Sequence, residues 1–217
     1  PLPLAEDERR EAYGGLDLSK STDLTSFALL LPNADGGYDW VPYFWMAEKR
    51  VAALERRDRL PYTQWVRQGY IEATPGNVVD YDYVERLILR LADRYDLREI
   101  GYDPRYAHQL VRKLEGDYGL TFKPVRQGFQ GMAGPMAELL RLVTQGLIHH
   151  GGHPVLREHA DALEAQVNAD GDSRTVKDRG KRRIDGIVAG LMALNRALEG
   201  EGGDTILSGV RVHSVSW

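Results

Sequence analysis

Tyr13–Ser19 reads YGGLDLS, a short strand with a carboxylate in its middle. Side chains alternate along a strand, so Leu16 and Leu18 share one face and Asp17 takes the other. In a central strand both faces are covered. An ionised Asp there is costly unless it is paired or bound to a cation.

Two further runs rich in β-formers follow, Leu24–Leu31 and Tyr38–Met46. KSTD and PNADGG separate them and read as turns, with Asp23 as a turn residue. Three strands joined this closely form an antiparallel meander. The middle one, TSFALLLP, is apolar almost throughout, as expected of a strand buried on both faces. The hydrophobic period then changes. Helices are expected over about 47–60 and 61–68. Another spans 80–96, where Val84, Leu87, Ile88, Leu91, Ala92 and Tyr95 recur at helical spacing. Glu99–Tyr102 is a short strand that ends at Asp103–Pro104. A helix over 104–116 and a strand over Leu120–Val125 come next, then helices at about 134–146, 155–168 and 184–199. A meander followed by strand–helix–strand crossovers makes a mixed sheet in which the first strand and the two later ones are parallel, with helices on its faces. That is the ribonuclease H-like arrangement. Residues 1–12 read as a linker or arm, 13–199 as the domain, and 200–217 as a Gly-rich break and tail.

A chain of 217 residues, 42% hydrophobic and 28% charged, supports one sizeable core. There is no cysteine, so any metal site must be built from carboxylate, imidazole and water. No apolar run approaches the roughly 20 residues that span a bilayer, and no secretory signal is visible. The net charge is −4, so contact with a polyanion must rest on local charge. The chain begins at Pro1 rather than Met, which suggests a segment excised from something longer.

Asp17 has two candidate companions. Asp103 lies just past the carboxyl end of a parallel strand, where open α/β sheets place their sites. Asp185 lies in the first turn of the last long helix, beside its apolar stripe. Three converging carboxylates repel one another, and a divalent cation resolves the conflict; oxygen ligands suit Mg²⁺ or Mn²⁺. Local roles remain open for two of them: Asp103 before Pro104 is a good helix N-cap, and Asp185 suits a helix dipole. Arg174, Lys177, Arg179, Lys181, Arg182 and Arg183 crowd just before Asp185, opposed only by Asp178. On a loop beside the acids they would attract backbone phosphate, Lys177 and Lys181 above all; otherwise they form a solvated loop. Gln127–Gly134, QGFQGMAG, reads as a Gly-rich connector. His149, His150 and His153 lie in a turn-like HHGGHP segment and do not share a helix face, which disfavours metal ligation. Tyr38, Trp40, Tyr43, Phe44 and Trp45 fit strand alternation between two covered faces better than a base-stacking platform.

GLDLSKSTDLTSFALLLP, IGYDPRYAHQL, GFQGMAGPMAELLRLVTQGLIHHGGHPVL and KDRGKRRIDGIVAGLMALNRAL, in this order and spacing, resemble the nuclease domain of tailed-phage large terminase subunits. The likeness covers about residues 13–198. It implies a metal-dependent endonuclease that cuts double-stranded concatemeric DNA during genome packaging in the host cytoplasm. It implies two Mg²⁺ or Mn²⁺ ions held by Asp17, Asp103 and Asp185, with Asp17 as the bridging ligand, and DNA contacts from Lys177, Arg179, Lys181, Arg182 and Arg183. The implied partners are an ATPase motor domain, for which no GxxxxGK[ST] motif is present here, a small terminase subunit and a portal; a membrane is not among them. Other classes share features. GGLDLSKSTD also resembles the phosphate loop of actin-like and sugar-kinase ATPases, which would make the chain a nucleotide switch, although it is short for two such domains. A silent scaffold binding DNA or a portal would not need all three acids. A resolvase or transposase would share the nuclease chemistry.

Overall fold

The computed structural model describes residues 9–19, 24–167, 173–177 and 183–207. The expected meander is present as β1 (Glu11–Asp17), β2 (Thr25–Pro32) and β3 (Tyr38–Ala47). After α1 (Val51–Asp58) and α2 (Tyr62–Arg67), a short β4 (Glu72–Thr74) pairs with the far end of β3. Then α3 (Tyr81–Arg94), β5 (Asp96–Tyr102), α4 (Pro104–Tyr118) and β6 (Phe122–Pro124) form the crossovers. The sheet order is β4-β3-β2-β1-β5-β6, with β7 (Ile148–His149) beside the start of β3. β1 and β2 run antiparallel, as do β2 and β3, whereas β1, β5 and β6 are parallel. This is the mixed, ribonuclease H-like sheet that the strand order implied.

Each face of the sheet carries its own core. Leu16, Leu18, Phe27, Leu29 and Ile100 pack with Val84, Ile88, Val111 and Leu114 of α3 and α4. On the opposite face Tyr13, Ala28, Leu30 and Trp40 meet Ile187, Val188, Leu191 and Met192. The latter belong to α7 (Asp185–Leu207), beside α5 (Phe129–Thr144) and α6 (Pro154–Asp161). The β3 aromatics divide by parity: Trp40 joins the α7 side and Trp45 the α3–α4 side. They are core residues, not a stacking surface.

Helix α7 lies directly on the strands. A Cβ on Gly15 would fall 1.9 Å from the Ala189 carbonyl oxygen, and one on Gly101 2.5 Å from that of Met192. Gly15 and Gly101 are neighbours in the β1–β5 register, so they open one continuous gap for the helix backbone. Arg196 of α7 also reaches Glu99 of β5 at 3.2 Å.

Several elements differ from expectation. The helix expected over 155–168 stops at Asp161, and β8 (Leu163–Val167) follows, paired antiparallel with β9 (Ser173–Lys177). The hairpin is held by a partner strand, which local periodicity does not register. The Gly-rich connector is mostly helical: α5 begins at Phe129, because Met132, Pro135, Leu139 and Leu142 bury one face. Gly131 fits there since a Cβ would lie 2.0 Å from the Arg126 carbonyl oxygen. Helix α7 continues through the expected Gly-rich break to Leu207. The rest of the tail, the first eight residues and Asp23 lie outside the described residues.

Gly15→Ala forces either the strand or α7 to move, and overpacking of this kind costs about 1–3 kcal/mol. The expected result is a lower urea midpoint with an unchanged m-value. An unchanged midpoint would show that the helix is not seated on the strand backbone.

Candidate active site

Strand parity decides where Asp17 points. Tyr13 and Gly15 face α7, and Leu16 and Leu18 face the α3–α4 core; Asp17, at the end of β1, therefore takes the α7 side. Its cross-strand partner is Ser26. The Ser26 hydroxyl donates to the backbone carbonyl of Asp185 at 2.8 Å. The first turn of α7 is thus tied to the strand beside Asp17.

Asp103 follows Tyr102, which pairs with Leu16 of β1, so it stands one step beyond β5 as Asp17 does beyond Leu16. Gly101 faces α7, and the extended backbone at Asp103 (φ −80°, ψ 119°) keeps the same parity. Asp103 is also the N-cap of α4: its Oδ1 accepts from the Arg105 N–H at 3.0 Å. Asp185 is 8% exposed. The backbone therefore brings Asp17, Asp103 and Asp185 to one end of the sheet on its α7 face. Their side chains are not drawn into a cage: among the described residues no three His, Asp or Glu groups stand as a ready metal cluster. The donor set is nonetheless all oxygen and suits a hard divalent cation.

The basic segment is placed less uniformly than expected. Lys177 ends β9, opposite Leu163. Arg179, Lys181 and Arg182 lie outside the described residues. Arg183, expected to contact DNA, is turned inward and is 3% exposed. Its Nε lies 3.1 Å from Asp58 Oδ2. The Tyr62 hydroxyl donates to the same carboxylate at 3.0 Å. Burial pushes Asp58 up, but the hydrogen bond from Arg57 and the charge and hydrogen bond of Arg183 outweigh it and hold the carboxyl below its usual range. A buried charge left without its partner is strongly destabilising; sequence clustering alone gave no sign that this arginine faces the core.

Sequence reading missed two residues that hold the site. Ser26 carried a faint signal, a polar residue near the start of an otherwise apolar strand. His159 carried none. It is 1% exposed, and its Nδ1 accepts from the Gly186 N–H at 2.9 Å. His149 and His153 of the HHGGHP segment have local partners. His149 lies near Asp39 at 3.5 Å. His153 sits between Phe44 and Tyr70, with ring centroids at 5.3 and 5.0 Å.

A sheet of this order, with acids gathered at the carboxyl end of its parallel strands and a helix crossing them, defines a ribonuclease H-like protein. The chain belongs to the family described as the terminase large subunit, endonuclease domain, whose model matches residues 1–201. The terminase large subunit of Enterobacteria phage HK97 is 36% identical over 200 residues, 90% of this chain and 40% of that protein. The crystal structure of the HK97 bacteriophage large terminase superposes with a TM-score of 0.77 at 34% identity, covering 88% of this chain and 40% of that one. The large terminase nuclease from thermophilic phage G20c with bound magnesium shares the fold, with a TM-score of 0.56 at 13% identity over 88% of this chain and 83% of its own. The chain thus spans about 40% of the length of the HK97 protein.

Burial holds His153 down to about 4 and also lowers His150. The unfolded chain, with histidine near 6.5, binds protons that the folded one refuses. The stability carried by His153 is therefore fully present above about pH 6.5 and falls as pH drops towards about 4, by less than ~1.4 kcal/mol per pH unit once solvent screening is allowed for, and His150 acts in the same direction. Urea melts between pH 7 and 4 should show this limb, and His153→Phe should flatten it. An equally steep limb in the variant would assign the loss to other groups.

Proposed function

We propose that this chain is a divalent-metal-dependent DNA endonuclease that cuts double-stranded, concatemeric phage DNA during genome packaging. The reading is supported by strand register and parity, which put Asp17 and Asp103 on the α7 side of one sheet end where α7 begins at Asp185, in a member of the terminase endonuclease family. Asp17, Asp103 and Asp185 would hold the two Mg²⁺ or Mn²⁺ ions, with Asp17, on the central strand, as the ligand shared between them. Divalent metal held there would supply an activated water and charge stabilisation for phosphodiester hydrolysis. The chain's own part is to carry the three carboxylates on strand ends and a helix start rather than on a loop. Asp103 does so from its capping position, which fixes its backbone while leaving the second carboxylate oxygen for a ligand. The products are a 5′ phosphate and a 3′ hydroxyl.

Lys177, Arg179, Lys181 and Arg182 supply contacts to the DNA backbone, so binding is independent of sequence and sensitive to salt. Arg183 serves the site from inside, through Asp58. We assign the catalytic unit to residues 13–199, with 1–12 as an arm and 200–217 as a tail. Its partners are an ATPase motor domain, the small terminase subunit and the portal, in the host cytoplasm. No helix among the described residues is long and apolar enough to cross a membrane.

Cleavage of supercoiled and linear plasmid with Mg²⁺, Mn²⁺ or EDTA tests the reading. Metal-dependent cutting is expected, and Asp17→Asn and Asp185→Asn should each lower it by at least about a hundredfold while folding normally. Cutting that survives in both folded variants would remove the acids from the mechanism. DNA binding without cutting under any metal would leave a scaffold, and stabilisation by ATP alone a nucleotide switch.

A further inference from the structure

We infer that His159 is a positioning residue for Asp185, acting as a neutral hydrogen-bond acceptor that fixes the Asp185–Gly186 peptide. The inference rests on the nuclease reading, in which Asp185 is a metal ligand.

The first N–H groups of a helix have no partner within it. They are usually satisfied by a Ser, Thr, Asp or Asn just before the first turn. Before Asp185 stands Ile184, which offers no side-chain acceptor. His159, on α6, takes that part from 27 residues away: its Nδ1 receives the Gly186 N–H at 2.9 Å. An accepting Nδ1 places the ring proton of a neutral imidazole on Nε2. The ring is wedged edge-on against Phe44, with centroids 5.4 Å apart at 87°. Gly186 is what lets it in, since a Cβ there would lie 2.9 Å from His159 Nδ1 and 2.8 Å from the Phe44 ring.

The second half of the clamp is Ser26. The Asp185 carbonyl that accepts from its hydroxyl at 2.8 Å belongs to the same peptide unit as the Gly186 N–H. One planar group is therefore held at both poles, by the strand that pairs with Asp17 and by α6. A peptide plane fixed at both ends sets the direction of the Asp185 Cα–Cβ bond, and hence where its carboxylate arrives. Groups that orient metal ligands in this way typically govern 10–100-fold in metal affinity.

The test compares His159→Leu, which keeps bulk but loses the acceptor, with His159→Asn, whose Oδ1 can stand in for Nδ1. Mn²⁺ binding to the purified chain is measured by calorimetry, beside thermal unfolding in EDTA and the Mn²⁺ concentration giving half-maximal plasmid cutting. We expect His159→Leu to bind Mn²⁺ about tenfold more weakly, with a matching rise in the concentration needed for cutting. His159→Asn should stay within about threefold of the parent. Ser26→Ala, at the other pole, should weaken binding in the same direction and covers the case in which His159→Leu does not fold. Lowered thermal stability with parental Mn²⁺ affinity in His159→Leu or Ser26→Ala would make the contacts purely structural and overturn the inference. So would His159→Asn as defective as His159→Leu. A parent chain that neither binds Mn²⁺ nor cuts DNA would overturn the nuclease reading along with it.

Discussion

The structure depends on the close seating of α7 on the middle of the sheet. A layer of ordinary side chains would hold a helix several ångströms higher. Gly15 and Gly101, side by side on β1 and β5, remove that layer where the helix crosses, and the carbonyls of Ala189 and Met192 occupy the space their side chains would take. Glycine in a strand costs some conformational entropy and gives up packing. The offset here is the burial of Ala189, Met192, Ala193 and Ala197, each essentially inaccessible. With the helix this low, its first turn reaches the end of β1, and Ser26 can hydrogen-bond the Asp185 carbonyl directly. The distance between the acids is in this sense set by two residues that have no side chain.

That seating has an electrostatic consequence. Of the three acids at this sheet end, two stand where the backbone favours a negative charge. Asp103 caps α4 and accepts the Arg105 N–H, and Asp185 opens α7, at the positive end of its dipole. The buried Arg183, two residues before Asp185, pairs with Asp58. The Asp58 carboxylate, shared among Arg57, Arg183 and Tyr62, anchors the segment leading into α7 to α1 and so fixes the approach to Asp185 from a third direction.

Much of this was legible in the sequence because it is local. An acid in the strand YGGLDLS violates strand composition, and that violation marked Asp17. The change of period from strand to helix gave the element order, and a parallel strand ending at Asp103–Pro104 placed the second acid. What depends on partners distant in the chain was not legible. Strand β8 looked helical, since Leu163–Val167 continues the composition of α6 and only pairing with Ser173–Lys177 makes it a strand. Glycines in QGFQGMAG suggested a loop, whereas the apolar spacing of Met132, Pro135, Leu139 and Leu142 belongs to a buried helix face. Arg183 looked like one more basic residue in a run, and nothing local marked His159. Their roles follow from which surface meets which, and no local pattern carries that.

On the nuclease reading, metal binding and folding share one free-energy balance. The clamp on the Asp185–Gly186 peptide and the low seat of α7 fix the first turn of α7 beside the end of β1 before any ion arrives. A cation that binds only the folded state returns stability in proportion to its affinity, about 2.7 kcal/mol when present at a hundred times its dissociation constant. Groups that aim the carboxylates, such as Ser26 and His159, then act on both quantities, whereas groups that only fill the core, such as Leu16 or Val84, act on stability alone. This separation follows from the geometry: the first pair touches the peptide that carries Asp185, and the second lies on the opposite face of the sheet.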